Sequence, residues 1–302
     1  MANIIAVIWD FDKTLVDGYM QDPIFEKYNV DASKFWKEVN SLPQKYKGEQ
    51  DVRINRDTIY LNHFIQYTKN GTFPGLNNEK LKEFGQQLKF YAGIPEVFKK
   101  AQELISSNPT YQEYNIRVEH YIVSTGMSAI IKGSSVMEYV EAVWGCEFIE
   151  DEYEGERIIS EIGYTIDNTS KTRALFEINK GIPKHPEIEV NARMPEELRR
   201  VHFKNMIYIA DGPSDIPAFS LVNKNGGATF AIYPKGDAAA FKQVEQLRMD
   251  GRINMYAEAD YREKTTAYMW ISNKIQEFAE RIRTTEKERL AASVSLVPRH
   301  LT

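Results

Sequence analysis

The sequence predicts an open, doubly wound parallel α/β sheet of Rossmann-like type carrying an inserted helical cap, and three observations lead there. Residues 4–9 (IIAVIW) form an unbroken β-favouring apolar run, as expected of a strand covered on both faces. Similar runs at 121–123, 206–210 (MIYIA) and 228–233 (ATFAIY), with a shorter one at 253–256, alternate with stretches of helical spacing. Between residues 17 and 91 no strand-like run occurs, and the pattern reads as several helices.

Taken in order, the first strand is followed by helices over 33–42, 57–68 and 79–91, with turns marked by Pro74-Gly75 and Gly93. The chain re-enters the α/β pattern at Ile94, which divides it into a discontinuous core of residues 1–16 and 92–302 and a cap of residues 17–91. The next helix is predicted over 95–105, where Val97, Phe98, Ala101, Leu104 and Ile105 share one face, and the pattern repeats over 128–143 and 171–179. Phe148, Tyr153, Ile158, Ile159, Ile162 and Tyr164, with Glu154-Gly155 among them, predict a β-hairpin over 147–166. An amphipathic helix over 268–282 closes the pattern, and the polar tail from Thr284 is expected to fray. Residues 296–299 (LVPR) resemble a protease-recognition scar, with chance equally good as an explanation.

Composition narrows the function classes. Acidic residues outnumber basic ones, 43 to 38, for a net charge of -5, so neither nucleic acid nor an anionic membrane is an expected partner. No apolar run approaches the roughly 20 residues of a membrane-spanning helix. A single cysteine, Cys146, and a start without a basic leader predict a cytoplasmic location; oligomeric state is not legible. The five histidines are scattered without metal-ligand spacing, so zinc is not indicated, and His120 and His202 read as structural.

The chemistry-bearing residues gather where the apolar runs stop. Asp10-Phe11-Asp12-Lys13-Thr14 puts two carboxylates on one side of the chain at the carboxyl end of a buried strand, the end where open parallel sheets bind ligands. Two such acids repel unless a cation or proton lies between them, and a divalent metal answers that need. One aspartate alone would be explained as a turn cap; the pair with Thr14 favours the metal. Asp211-Gly212-Pro213-Ser214-Asp215 repeats the arrangement after MIYIA, so a second strand delivers acids to the same edge, although a simple turn explains it as well in isolation. Magnesium suits an all-oxygen set completed by substrate phosphate. Ser124, Thr125 and Gly126 follow a further strand and can hold phosphate oxygens through a hydroxyl and free N–H groups, or merely cap a helix. Lys171 sits at a helix start, where a cation is unfavourable by roughly 0.3–1 kcal/mol unless an anion compensates; it is preferred over Lys180, which the helix dipole favours at its C-terminal end.

In order and residue type, Asp10 and Asp12, Ser124, Lys171, and Asp211 with Asp215 resemble the four motifs of the haloacid dehalogenase superfamily, most closely its phosphoserine phosphatase-like branch, whose helical cap lies between the first two motifs. Ala210 and Thr125 depart from that branch, which commonly has glycine at both places. The resemblance implies a magnesium-dependent phosphatase acting on a small-molecule phosphate ester. Asp10 would be the nucleophile, and Asp12 would protonate the leaving group and later activate water. Metal would be held by Asp10, Asp211 and the backbone carbonyl of Asp12; Ser124 and Lys171 would bind phosphoryl oxygens; Asp215 would orient Lys171 or a water. Arg53 and Arg56 in the cap are candidate contacts to an acidic substrate, though ordinary surface charge is the better explanation of them. A phosphoryl mutase would use the same acids, a dehalogenase would not need Asp12, and a non-enzymatic magnesium- and phosphate-binding module is the alternative outside enzymes.

Overall fold

In the computed structural model of the chain, residues 3–295 are described. Seven strands form one sheet in the order β4-β3-β2-β1-β5-β6-β7. They are β1 (Asn3–Trp9), β2 (Ile116–Met127), β3 (Val140–Tyr153), β4 (Glu156–Tyr164), β5 (Met206–Ala210), β6 (Ala228–Tyr233) and β7 (Met255–Glu258). All neighbours are parallel except β3 and β4. From β1 the chain builds outward through β2 to β3 and β4, then crosses back to β5 and builds the other way, so the topological switch lies between β1 and β5. Ile4 to Trp9 and all of β5 are buried, which is why both read as continuous apolar runs.

Four helices occupy the stretch between residues 17 and 91: α1 (Asp22–Lys27), α2 (Ala32–Gln50), α3 (Ile59–Lys69) and α4 (Asn78–Gly85). Asp31 starts α2 by accepting hydrogen bonds from the Ser33 and Lys34 amides, and Asn77 does the same for α4 through Lys80. Phe25, Phe35, Phe64 and Phe73 interlock at ring separations of 4.9–6.4 Å, giving these helices an apolar centre of their own. Both ends of the stretch are tied together, Tyr91 N donating to Leu15 O and Asp17 N to Lys89 O. The remaining helices are α5 (Glu96–Ser106), α6 (Pro109–Gln112), α7 (Ser128–Gly133), α8 (Ser170–Lys180), α9 (Ile216–Lys224), α10 (Ala238–Met249) and α11 (Thr266–Ser295). None of the described helices is long and apolar enough to cross a membrane.

Three expectations need correction. The helix predicted over 79–91 ends at Gly85. The helix predicted over 128–143 ends at Gly133, and β3 begins at Val140. At Gly133 a Cβ would lie 1.9 Å from the Lys82 carbonyl oxygen, and at Gly85 one would lie 2.1 Å from that of Ile130, so α4 and α7 meet backbone to backbone. That packing makes glycine necessary there, and the helix ends because the next residue, Ser134, is extended, with φ of -84° and ψ of 159°. The tail from Thr284, expected to fray, continues α11 to Ser295. Ion pairs three residues apart, Glu280–Arg283 and Glu286–Arg289, supply part of the reason. The predicted hairpin is β3–β4, turning at Glu154-Gly155 with φ of 51° and 82°, the left-handed pair that two-residue hairpin turns favour. Residues 296–299 lie outside the described residues.

Trp9, at the end of β1, donates its indole N–H to His120 Nδ1 at 3.2 Å, and His120 Nε2 lies 3.1 Å from the Phe98 carbonyl oxygen. Because an indole nitrogen can only donate, Nδ1 must accept, which places the imidazole proton on Nε2. Burial pushes the His120 pKa down to about 4. The folded protein therefore keeps His120 neutral while the unfolded chain protonates it below about pH 6.5, so stability present above that value is lost as pH falls toward 4. We expect the wild type to lose on the order of 3 kcal/mol more than His120→Gln between pH 6.5 and 4, because the glutamine amide can both accept from Trp9 and donate to Phe98 without titrating. Urea unfolding curves at the two pH values check this; parallel losses in both proteins would exclude His120 as the group responsible.

Candidate active site

Strand register assembles the site. Trp9 pairs with Ile209 on one side and Ile122 on the other, so Asp10 leaves β1 level with the ends of β5 and the middle of β2. Its amide continues the ladder by donating to Ile209 O at 2.8 Å. Asp211 follows β5 directly, and Ser124 lies within β2 one strand away. The loop after β1 folds back sharply, Leu15 N donating to Phe11 O, which sets the Thr14 hydroxyl 3.4 Å from Asp10 Oδ2.

Lys171 enters from the first turn of α8 and is wholly buried. Its ammonium lies 2.7 Å from Asp10 Oδ1 and 2.6 Å from Asp215 Oδ1, so the anions that offset its unfavourable place on the helix are these two carboxylates. Their charge holds its pKa above the ordinary lysine value despite the burial that opposes it. Lys180 instead donates to the Val190 carbonyl, far along the same helix, and secures the loop after it. Asp215 is fully engaged: Tyr208 donates to Oδ1 and Ser214 to Oδ2, at 2.6 and 2.8 Å.

Asp10, Asp211 and Asp215 each offer an oxygen within 4.8 Å of the others, an arrangement able to hold a cation. Burial first, then neighbouring acids, push the Asp10 pKa up to about 6 and that of Asp211 up to about 7. Asp211 receives no hydrogen bond from any described residue. Its charge is the least compensated of the three, and Asp215 is the most fully satisfied, so Asp10 and Asp211 are the better-suited ligands. The Asp12 carboxylate stands outside this group and accepts from the Met20 amide at 2.8 Å. Burial and the charge of Asp10 raise its pKa well above the carboxylate range.

Ser124 Oγ accepts from the Gly126 amide at 3.0 Å. A Cβ at Gly126 would fall 2.1 Å from Met20 Cε, so glycine is what allows Met20 to lie across this loop. The Thr125 carbonyl accepts from the buried Tyr60 hydroxyl of α3 at 2.8 Å, and Cys146 packs beneath it with its thiol pKa raised by burial to about 11. Arg53 and Arg56 are exposed in the connection between α2 and α3 and make no hydrogen bond or ion pair with a described residue. Their segment nonetheless touches the loop before Lys171: Asn55 Nδ2 donates to Asp167 Oδ2 at 3.1 Å, and Asn168 N donates to Asp57 Oδ2 at 3.2 Å. The structure thus brings Asp10, Thr14, Lys171, Asp211 and Asp215 together, with Asp12 and Ser124 at their flanks, and leaves the two arginines at the surface. Tyr208, Ser214, Tyr60 and Lys13 were not singled out in the sequence. Tyr208, a lone hydroxyl within an aliphatic strand, carried a signal that could have been read.

Paired acids on the two central strand ends, a serine on the neighbouring strand and a lysine bridging the acids thus share one edge of an open α/β sheet. The chain belongs to one family with an uncharacterized protein of Borreliella burgdorferi, 38% identical over 287 residues that cover 90% of this chain and 97% of that protein. No family model matches the sequence. Among solved structures it is similar to a HAD family hydrolase of Salmonella enterica serovar Typhi, at 12% identity and a TM-score of 0.49 over 89% of this chain and 70% of that one. It is also similar to phosphoserine phosphatase captured as a phospho-aspartyl intermediate analogue, at 16% identity and a TM-score of 0.49 over 86% and 97% of the two chains. Cytosolic 5'-nucleotidase IIIB bound to cytidine is similar at 11% identity and a TM-score of 0.47, over 94% and 87%.

Proposed function

We propose that the protein is a magnesium-dependent phosphatase that hydrolyses a small-molecule phosphomonoester through an aspartyl-phosphate on Asp10. The observation that carries this reading is the division of labour among the acids: Asp10 is held by Lys171 beside Asp211, which receives no hydrogen bond from a described residue, while Asp12 stands apart with its pKa raised. An Asp10 oxygen attacks phosphorus as the ester P–O bond breaks, and Asp12, protonated at the outset, delivers its proton to the departing oxygen. Asp12, now ionised, takes a proton from the water that attacks phosphorus in the second step, which frees Asp10 and inorganic phosphate. In this reading Lys171 and the Ser124 hydroxyl stabilise the phosphoryl oxygens in both steps. Asp10, Asp211 and the Asp12 carbonyl would hold magnesium, which would supply charge neutralisation between nucleophile and phosphate dianion.

The helices between residues 17 and 91 serve in this reading as a cap. Their contacts with Thr125, Asp167 and Asn168 reach both sides of the lysine, which suits a lid that excludes water around a metabolite rather than a folded phosphoprotein. Phosphate release from a panel of metabolite phosphates is expected to require magnesium, to stop in excess chelator and to be inhibited by calcium, whose larger coordination number lets it engage both Asp10 oxygens. Release undiminished by chelator would refute the metal assignment. Isomerised phosphoester without free phosphate would mark a mutase.

A further inference from the structure

Lys13 stands between Asp12 and Thr14 with φ of 55°, in the left-handed region that favours glycine. The turn there is demanded by the loop, since Lys13 N donates to Gly18 O at 3.1 Å and Thr14 must double back toward Asp10. A side chain at such a position costs of order 1 kcal/mol relative to glycine, so its presence calls for a use. That use is not structural pairing: among the described residues no carboxylate lies within ion-pair distance of its ammonium. The ammonium is instead held 4.4 Å from the centre of the Tyr19 ring, and Tyr19 is 41% exposed. Lys13 is itself half-buried, and its charge is felt at both Asp12 and Asp211. A cation thus sits on the loop that carries Asp10, against an aromatic ring at the surface and next in sequence to Asp12.

Resting on the phosphatase reading, we propose that Lys13, positioned by Tyr19, is a specificity residue that binds a second anionic group, a carboxylate or another phosphate, on the leaving-group side of the ester. The substrate class is then a dianionic-plus phosphometabolite rather than the phosphate of a neutral alcohol. This assigns to Lys13 the recognition role that the exposed Arg53 and Arg56, without contacts to the site, are less well placed to fill.

A matched pair tests it: 3-phosphoglycerate and glycerol 3-phosphate differ at the far carbon, carboxylate against hydroxymethyl. The wild type is expected to prefer the first by at least about tenfold in kcat/KM. Lys13→Met should erase that preference through KM, changing glycerol 3-phosphate by less than about threefold, and Lys13→Arg should keep it. Equal losses on both esters would mean that Lys13 only balances the charge of the acid cluster, and that result, or a wild type without preference, overturns the proposal. Calorimetric binding of the same pair to Asp10→Asn and to Asp10→Asn/Lys13→Met reads the contact without turnover. Absence of phosphate release by the wild type therefore refutes the phosphatase reading alone, whereas equal binding by both variants, or binding of neither ester, refutes the Lys13 assignment.

Discussion

Asp10→Asn is expected to lower phosphate release by at least about 10⁴-fold while leaving the protein folded. An amide keeps the shape of the carboxylate but is a very poor nucleophile, and loss of a covalent catalyst of this kind removes the whole two-step route. The fold should tolerate the change for a reason specific to this site. Burial raises the Asp10 pKa to about 6, so at neutral pH the folded protein bears the cost of an ionised group that the unfolded chain does not. Removing that charge offsets the lost hydrogen bond to Lys171, which keeps Asp215. The urea midpoint at pH 7 should be equal to or above that of the wild type. A variant with wild-type kcat, and no deamidation by mass spectrometry, would show that Asp10 is not the nucleophile.

Lys171→Met should have the largest effect on stability. Its ammonium is the shared partner of two buried carboxylates, and taking it away leaves Asp10 and Asp215 facing each other with no cation between them. Breaking a buried ion pair by removing one partner costs about 3–5 kcal/mol. The loss should be full at pH 7 and shrink toward pH 5, because Asp10, its pKa already raised by burial, can then take up a proton. Adding Asp215→Asn should restore part of the stability but none of the activity. Urea unfolding of the three proteins at both pH values measures this, and a loss below about 1 kcal/mol at pH 7 would mean that the bridge is not holding those charges together.

Much of this architecture was legible because β1 and β5 are buried on both faces: their apolar runs end abruptly, and the acids at 10–14 and 211–215 follow within a residue. Two strand ends of the same kind, in a parallel sheet, have few ways to be arranged other than side by side. The third strand was harder. Met137, Val140 and Val143 fall at helical spacing, which carries no sign that Ser134 is already extended. Partnerships within the site were likewise hidden. That Asp215 is bound by Tyr208, Ser214 and Lys171 at once depends on register and on the reach of α8, neither of which leaves a trace in spacing. Lys13 escaped notice because the residues on either side of it had already been explained.

The insertion between residues 17 and 91 does not rest on the core by its ends alone. Ile159 of β4 donates to the Leu76 carbonyl, Asn78 donates its amide to Glu150 and its side chain to the Phe148 carbonyl, and α4 lies backbone to backbone on α7. The β3–β4 hairpin is thus a fixed abutment, and the far half of the insertion is bolted to it. On the opposite flank the exposed segment 51–58 hangs on a few side-chain bonds, to Asp167 and Asn168. A rigid swing of all four helices would break the abutment at once, whereas local release of that segment gives up only the bonds to Asp167 and Asn168 and the packing of Ile54. Any loosening of the insertion should therefore begin at the connection between α2 and α3 while the hairpin side stays fixed.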